Sequence, residues 1–176
     1  LIKSVHSDIS TEFGEESFHF QYLSTLIEKE SKLSKTNLGR AYIDIVSLSL
    51  NGDETNLSSV ISEGKYVLLE FWASWCNPCR EEFPIMKEAY AKYNTKGFEI
   101  YGVSIDKKEE DWKKASEDEQ LPWINTHLIP DAEKNAQTKY AVSAIPANFL
   151  IGPDGKIIAK NLRGEALEKK LAELLD

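Results

Sequence analysis

A chain of 176 residues, 41% hydrophobic and 28% charged, has the size and composition of one globular domain with room for a short appendage. Its 29 Asp and Glu outnumber its 21 Lys and Arg, and the resulting formal charge of −8 argues against a nucleic-acid ligand, because such affinity rests on clustered basic side chains. No stretch approaches the run of about 18 apolar residues that a membrane-spanning helix needs.

The chain opens on Leu1 without a basic-then-apolar signal segment. It therefore reads as a processed or trimmed product from which a targeting segment, and with it a lipid anchor, has been lost. Residues 1–40 are polar and carry one helical pattern, with Phe20, Leu23, Leu26, Ile27 and Leu33 roughly on one face. A lone helix of this length is marginal without packing. The segment is expected to be an appendage docked on a main domain at 41–176, the other option being the remnant of a larger preceding domain.

From residue 41 strand and helix patterns alternate. AYIDIVSLSL (41–50) predicts a strand, closed by the turn-forming Asn51, Gly52 and Asp53. Residues 56–62 suggest a short helix before Gly64. YVLLEFW (66–72) is a nearly continuous apolar run, as in a central strand covered on both faces. A helix follows over 77–94, with Phe83, Met86, Tyr90 and Tyr93 spaced for one apolar face and Pro84 expected to kink it. FEIYGVSI (98–105) is the next strand, and EEDWKKASEDE (109–119) a charged helix. Trp123 reads as core or rim. Residues 131–141 predict another helix, leading to the strand ANFLI (147–151). GPDG (152–155) has the residue order of a type I turn, so KIIAK (156–160) returns as a hairpin strand. A final helix carries Leu167, Leu171, Leu174 and Leu175 on one stripe. This succession is that of an α/β fold with a mixed sheet and helices on both faces.

Both cysteines lie in FWASWCNPCREEFP (71–84). A structural disulfide, half of a metal site and a redox pair are the three options. Cys76 stands where the strand ends and the helix begins, and Cys79 lies on the same side of the first turn. That spacing brings the Cα atoms to about 5–6 Å, within disulfide range. The free N–H groups at a helix start stabilise a thiolate, so Cys76 should have the lowered pKa and act as the nucleophile. Pro78 fits the first turn, where its missing donor costs nothing. As a staple the pair would be poor, because closing so small a loop removes little chain entropy. A zinc site would need two further ligands near one another. The histidines are His6, His19 and His127, scattered along the chain. A redox pair remains. Two carboxylates accompany it: Glu70 interrupts the apolar strand, where a buried charge is costly, and Glu82 lies one turn beyond Cys79.

These residues resemble the active-site segment of the thioredoxin-fold family, and within it the TlpA/ResA-like extracytoplasmic thiol–disulfide oxidoreductases. SAIPANFLIGPDGKI (143–157) is similar to that family's segment bearing the active-site proline and the hairpin, and GVSID (102–106) also fits; the likeness covers 41–176. Ala147 departs from it where a threonine is common. The resemblance implies a thioredoxin-like three-layer sandwich and a cis Ile145–Pro146 bond facing the cysteines. It sets Trp75, Asn77, Pro78, Ile145 and Pro146 on the surface that receives a client. Trp72 is expected in the core. The resemblance also makes Glu70 the buried acidic residue of thioredoxins and Glu82 the active-site glutamate of the ResA-like proteins. Burial would raise either pKa and suit it to take the proton of Cys79. Cys76 then attacks a client disulfide and Cys79 resolves the mixed disulfide, in the direction of reduction. No cofactor is implied, since flavin and nicotinamide motifs are missing. The partners implied are disulfide-bearing clients, with cytochrome c apoproteins among them, and an upstream membrane thiol reductant. The compartment implied is a bacterial periplasm or the membrane surface facing it. Two other readings need the same segment. A thiol peroxidase would carry Thr or Ser three residues before its reactive Cys, where this chain has Ala73; a non-catalytic binding module would not need the intact C-x-x-C.

Overall fold

The computed structural model describes residues 18–129 and 135–176. The elements run α1 (Phe18–Lys35), β1 (Val46–Ser49), β2 (Glu54–Asn56), α2 (Leu57–Ile61), β3 (Tyr66–Trp72) and α3 (Asn77–Tyr93). A single 3-10 turn (Asn94–Lys96) then leads into β4 (Phe98–Ser104), α4 (Glu109–Glu119) and β5 (Ile124–Leu128). The chain ends with α5 (Ala136–Lys139), β6 (Ala147–Ile151), β7 (Ile157–Lys160) and α6 (Glu165–Leu175).

The strands form one sheet in the order β2-β1-β5-β4-β3-β6-β7. β3 and β4 pair in parallel, as do β4 and β5, because a helix crosses over between each pair. β6 runs antiparallel to both β3 and β7. The 152–155 turn closes the β6–β7 hairpin, and Gly155 sits there at φ 74°, in the left-handed region that favours glycine.

Side chains alternate across β3 and sort into two cores. Val67, Leu69 and Phe71 pack with Leu57 and Val60 of α2 and with Tyr140 beyond α5. Leu68 and Trp72 pack on the opposite face with Phe83 and Met86 of α3, Trp112 of α4, and Leu167 and Leu171 of α6. Each such buried side chain contributes about 1.5–3 kcal/mol. The mixed sheet thus carries helices on both faces, and the alternation turns Glu70 toward the α3 side.

Several elements differ from the sequence expectation. The strand predicted over 41–50 is restricted to Val46–Ser49. Its first half finds partners outside the main ladder: Ala41 bridges to Lys156, the Tyr42 N–H donates to the Gly155 carbonyl at 2.8 Å, and the Ile43 N–H donates to Tyr140 Oη at 3.0 Å. β2 and β5 were not anticipated. β5 reads INTHL, and its buried polar residues hide the apolar pattern. They are buried because they are paired: Thr126 Oγ1 donates to the Gly102 carbonyl at 2.8 Å, and Trp72 Nε1 donates to Asn125 Oδ1 at 3.1 Å. Of the helix expected at 131–141, Ala136–Lys139 is helical, while 130–134 lie outside the described residues. Pro84, where a kink is expected, lies inside the continuous helix α3. Trp123 is core, edge-on to Phe83 at 5.8 Å.

Candidate active site

β3 ends at Trp72, and the chain turns through Ala73, Ser74 and Trp75 before α3 begins. The Cys76 N–H donates to the Ala73 carbonyl at 3.0 Å, which closes that turn. Cys76 caps α3, with its Sγ accepting the Cys79 N–H at 3.3 Å. This is the arrangement that stabilises negative charge on the capping atom, because the first N–H groups of a helix lack partners within it. Cys76 and Cys79 are joined as a disulfide, with Cα atoms 5.3 Å apart. Pro78 lies in the first turn of the helix. The helix start is less open than its position in the sequence suggests: Cys76 is only 4% exposed and Cys79 1%. Both belong to the apolar cluster around Trp72 and Phe83, against which the partly buried Ile145 packs.

Trp75 is 64% exposed, an apolar surface directly before Cys76, and Asn77 and Pro78 are exposed beside it. Trp72 is buried. The Ile145–Pro146 peptide bond is cis. Pro146 is half-buried and its carbonyl accepts a hydrogen bond from Arg163 Nη2.

The two carboxylates stand in different surroundings. Glu70 is 3% exposed, and its Oε2 is buried without a hydrogen-bond partner. Desolvation pushes its pKa up to about 8. A side-chain hydrogen bond with Asn148 and the positive charge of Arg163 oppose that rise, while the like charge of Glu82 adds to it. Glu82, expected to be buried, is only half-buried. Its Oε2 accepts the Gly164 N–H at 2.9 Å, which ties α3 to the start of α6.

Three residues escaped the sequence reading. Asn148 lies opposite Glu70 on β6 and holds the 161–164 loop, donating to the Leu162 carbonyl and accepting the Leu162 N–H, both at 2.8 Å. Its signal was the one that marked Glu70, a polar residue inside an apolar strand. Arg163 reaches both Pro146 and the field of Glu70, and no local pattern marks it. Asp106 follows β4 and accepts hydrogen bonds from the turn before Cys76.

This set of groups can run reversible disulfide chemistry: a capped sulfur at a helix start, a second sulfur beneath it, an apolar surface beside them and a buried carboxyl with raised proton affinity. Comparison with known proteins points the same way. Residues 38–160 match the AhpC/TSA family. Thiol–disulfide oxidoreductase ResA of Bacillus cereus is 33% identical over 145 residues, which is 82% of this chain and 80% of that protein. Among solved structures, the thioredoxin domain of a thiol–disulfide oxidoreductase from Bacteroides vulgatus superposes with a TM-score of 0.74 at 37% identity, covering 80% of this chain and 99% of that one. A thiol:disulfide interchange protein from a Bacteroides species gives the same score and identity, covering 80% and 91%.

Proposed function

The chain belongs to the AhpC/TSA family and is a thiol–disulfide oxidoreductase, and from that premise we propose that it reduces the disulfides of extracytoplasmic client proteins through Cys76 and Cys79. The observation that carries the assignment is the Cys76–Cys79 disulfide at the capping position of α3, above a β3 face bearing the buried Glu70.

In the dithiol form the Cys76 thiolate attacks one sulfur of a client disulfide. The client S–S bond breaks, its other sulfur leaves as a thiolate, and a mixed disulfide forms. Cys79 gives its proton to Glu70 or Glu82 and attacks Cys76 Sγ. The Cys76–client bond then breaks and the second client sulfur departs as a thiolate. Two electrons have passed from the pair to the client, and an upstream membrane thiol reductant restores the dithiol. Glu70 supports the proton step because a pKa raised to about 8 lies close to that of an ordinary thiol, so its ionised form can take the proton that Cys79 gives up. Trp75, Asn77, Pro78, Ile145 and Pro146 form the client-facing surface in this reading, with Trp75 its exposed aromatic member.

Residues 41–176 act as the thioredoxin-like unit and 1–40 as its appendage. The client chemistry favours an oxidising compartment, a bacterial periplasm or the membrane surface facing it, where protein disulfides persist. Among the described residues no helix is long and apolar enough to cross a membrane. Cytochrome c apoproteins are the proposed clients within that setting. The peroxidase alternative finds no hydroxyl at Ala73, which is buried.

Replacing Cys79 by Ala removes the resolving thiol and leaves the helix cap in place. Expressed in a periplasm, Cys79→Ala should accumulate discrete higher-mass bands on non-reducing gels. These should collapse with dithiothreitol and vanish when Cys76 is also replaced. A few bands would mark dedicated clients. No trapped species under oxidising conditions would refute the proposed division of roles.

A further inference from the structure

The turn that delivers Cys76 to α3 is held by a group outside the C-x-x-C segment. Asp106 is 5% exposed at the end of β4, beside the end of β3. Its Oδ2 accepts the Ser74 N–H at 2.9 Å and its Oδ1 the Ser74 hydroxyl at 2.7 Å. The Ser104 hydroxyl donates to Oδ2 at 2.7 Å, and Ser104 Oγ accepts the Asp106 N–H at 3.0 Å. The Asp106 carbonyl is 2.8 Å from His127 Nε2, whose ring stacks on Trp112 at 5.1 Å. The carboxylate is thus fixed through its own backbone and spends three accepted hydrogen bonds on two serines. Short hydroxyl–carboxylate bonds of this kind are among the stronger protein hydrogen bonds.

Ser74 lies two residues before Cys76, inside the turn closed by the Cys76 N–H and the Ala73 carbonyl. We propose that Asp106 is a positioning residue for thiol exchange: it pins the 73–76 turn so that Cys76 stays within reach of Cys79 when no disulfide joins them. The inference rests on the assignment of Cys76 as attacking and Cys79 as resolving thiol. In the oxidised protein the S–S bond itself limits the turn. In the dithiol, and in the mixed disulfide with a client, only backbone and side-chain bonds do. Losing the carboxylate therefore frees the dithiol more than the disulfide. That favours the dithiol at equilibrium and makes the attack of Cys79 on Cys76 less frequent, since small misplacements of reacting atoms cost large factors in rate.

The test compares purified wild type, Asp106→Ala, Asp106→Asn and Ser74→Ala in two measurements. The first is equilibrium of the pair against glutathione; the second is the rate at which a single-disulfide client peptide is released from its mixed disulfide. Asp106→Ala is expected to weaken the disulfide roughly tenfold in equilibrium constant, about 30 mV toward a more oxidising potential, and to slow release by a similar factor. Asp106→Asn, which keeps an acceptor, should recover part of both, and Ser74→Ala should show roughly a threefold effect through its one lost hydroxyl bond. Glu99→Gln is the control: it alters a buried carboxylate at the other end of β4, bonded to the Ile100 N–H at 3.0 Å. It should lower the urea midpoint and leave potential and release rate unchanged. If Asp106→Ala does not fold, Ser74→Ala decides. Variants that match wild type in both measurements, or a control that shifts them equally, would overturn the positioning role alone. A wild type that forms but never resolves the mixed disulfide would overturn the assignment of Cys79 and this inference with it.

Discussion

Glu70 shows how one buried side chain can link pH, stability and chemistry. The ordinary carboxyl titrates near 4.5, whereas desolvation in the fold raises Glu70 to about 8. Between these values the folded state holds the proton more tightly than the unfolded chain, so stability falls as pH rises through the window. Urea titrations of the oxidised protein from pH 5 to 9 are expected to show a decline of up to a few kcal/mol, at roughly 1.4 kcal/mol per unit of pKa difference. Glu70→Gln should flatten the decline and alter the pH–rate profile of client reduction. An undiminished slope in that variant would place the titrating group elsewhere. At the cysteines, side-chain exposure separates the pair only slightly, 4% against 1%, and the helix cap makes the larger difference. Limited iodoacetamide on the reduced protein near neutral pH should label Cys76 about tenfold faster than Cys79. Mass spectrometry of tryptic peptides reads this directly, and faster labelling of Cys79 would reverse the roles.

Elements on the α3 side are joined by polar bonds that no strand or helix pattern reveals. Asn125 of β5 accepts from Trp72 Nε1 of β3 and donates to Ser116 Oγ of α4 at 2.5 Å. Asn125→Ala would strand the buried Trp72 N–H, while the Ser116 hydroxyl keeps its bond to the Trp112 carbonyl, at a cost of about 1–3 kcal/mol. Chemical denaturation should register that loss, and an unchanged midpoint would mean that the network relaxes onto other partners. Gly102 of β4 lies under the same network. A Cβ there would meet Trp123 Nε1 at 3.2 Å and Asn125 Oδ1 at 3.3 Å, so even alanine crowds the layer. β3, α4 and the final helix were legible as elements because their apolar or charged patterns are continuous. β5 was not, because its inward residues are satisfied by hydrogen bonds rather than chosen for apolarity.

At the scale of the molecule, the segment before β1 meets the sheet at a place that sequence composition does not mark. None of the described α1 side chains enters either apolar cluster. Residues just before β1, by contrast, border the β6–β7 hairpin. The Gly39 N–H donates to the Ile157 carbonyl at 2.8 Å, the Ile157 N–H to the Arg40 carbonyl at 2.9 Å, and the Tyr42 N–H to the Gly155 carbonyl at 2.8 Å. A chain starting at residue 36 is therefore expected to keep its stability within about 1 kcal/mol. One starting at residue 43 should lose about 2–4 kcal/mol with those three bonds and the Tyr42 ring over Gly155. Equal melting of the two truncations would show that residues 39–42 contribute nothing to stability.

The sequence by itself determined the redox pair, its place at a strand-to-helix junction and the α/β order of elements. These follow from local rules: residue spacing, apolar periodicity and the chemistry of a helix start. The contrast between Glu70 and Glu82 required the tertiary structure, because burial depends on what packs over a side chain and not on its neighbours in sequence. So did the grip of Asp106 on Ser74 and of Asn148 on the 161–164 loop. Each joins residues on separate elements that come together only when the sheet assembles, and a hydrogen bond across that distance in sequence leaves no periodic trace.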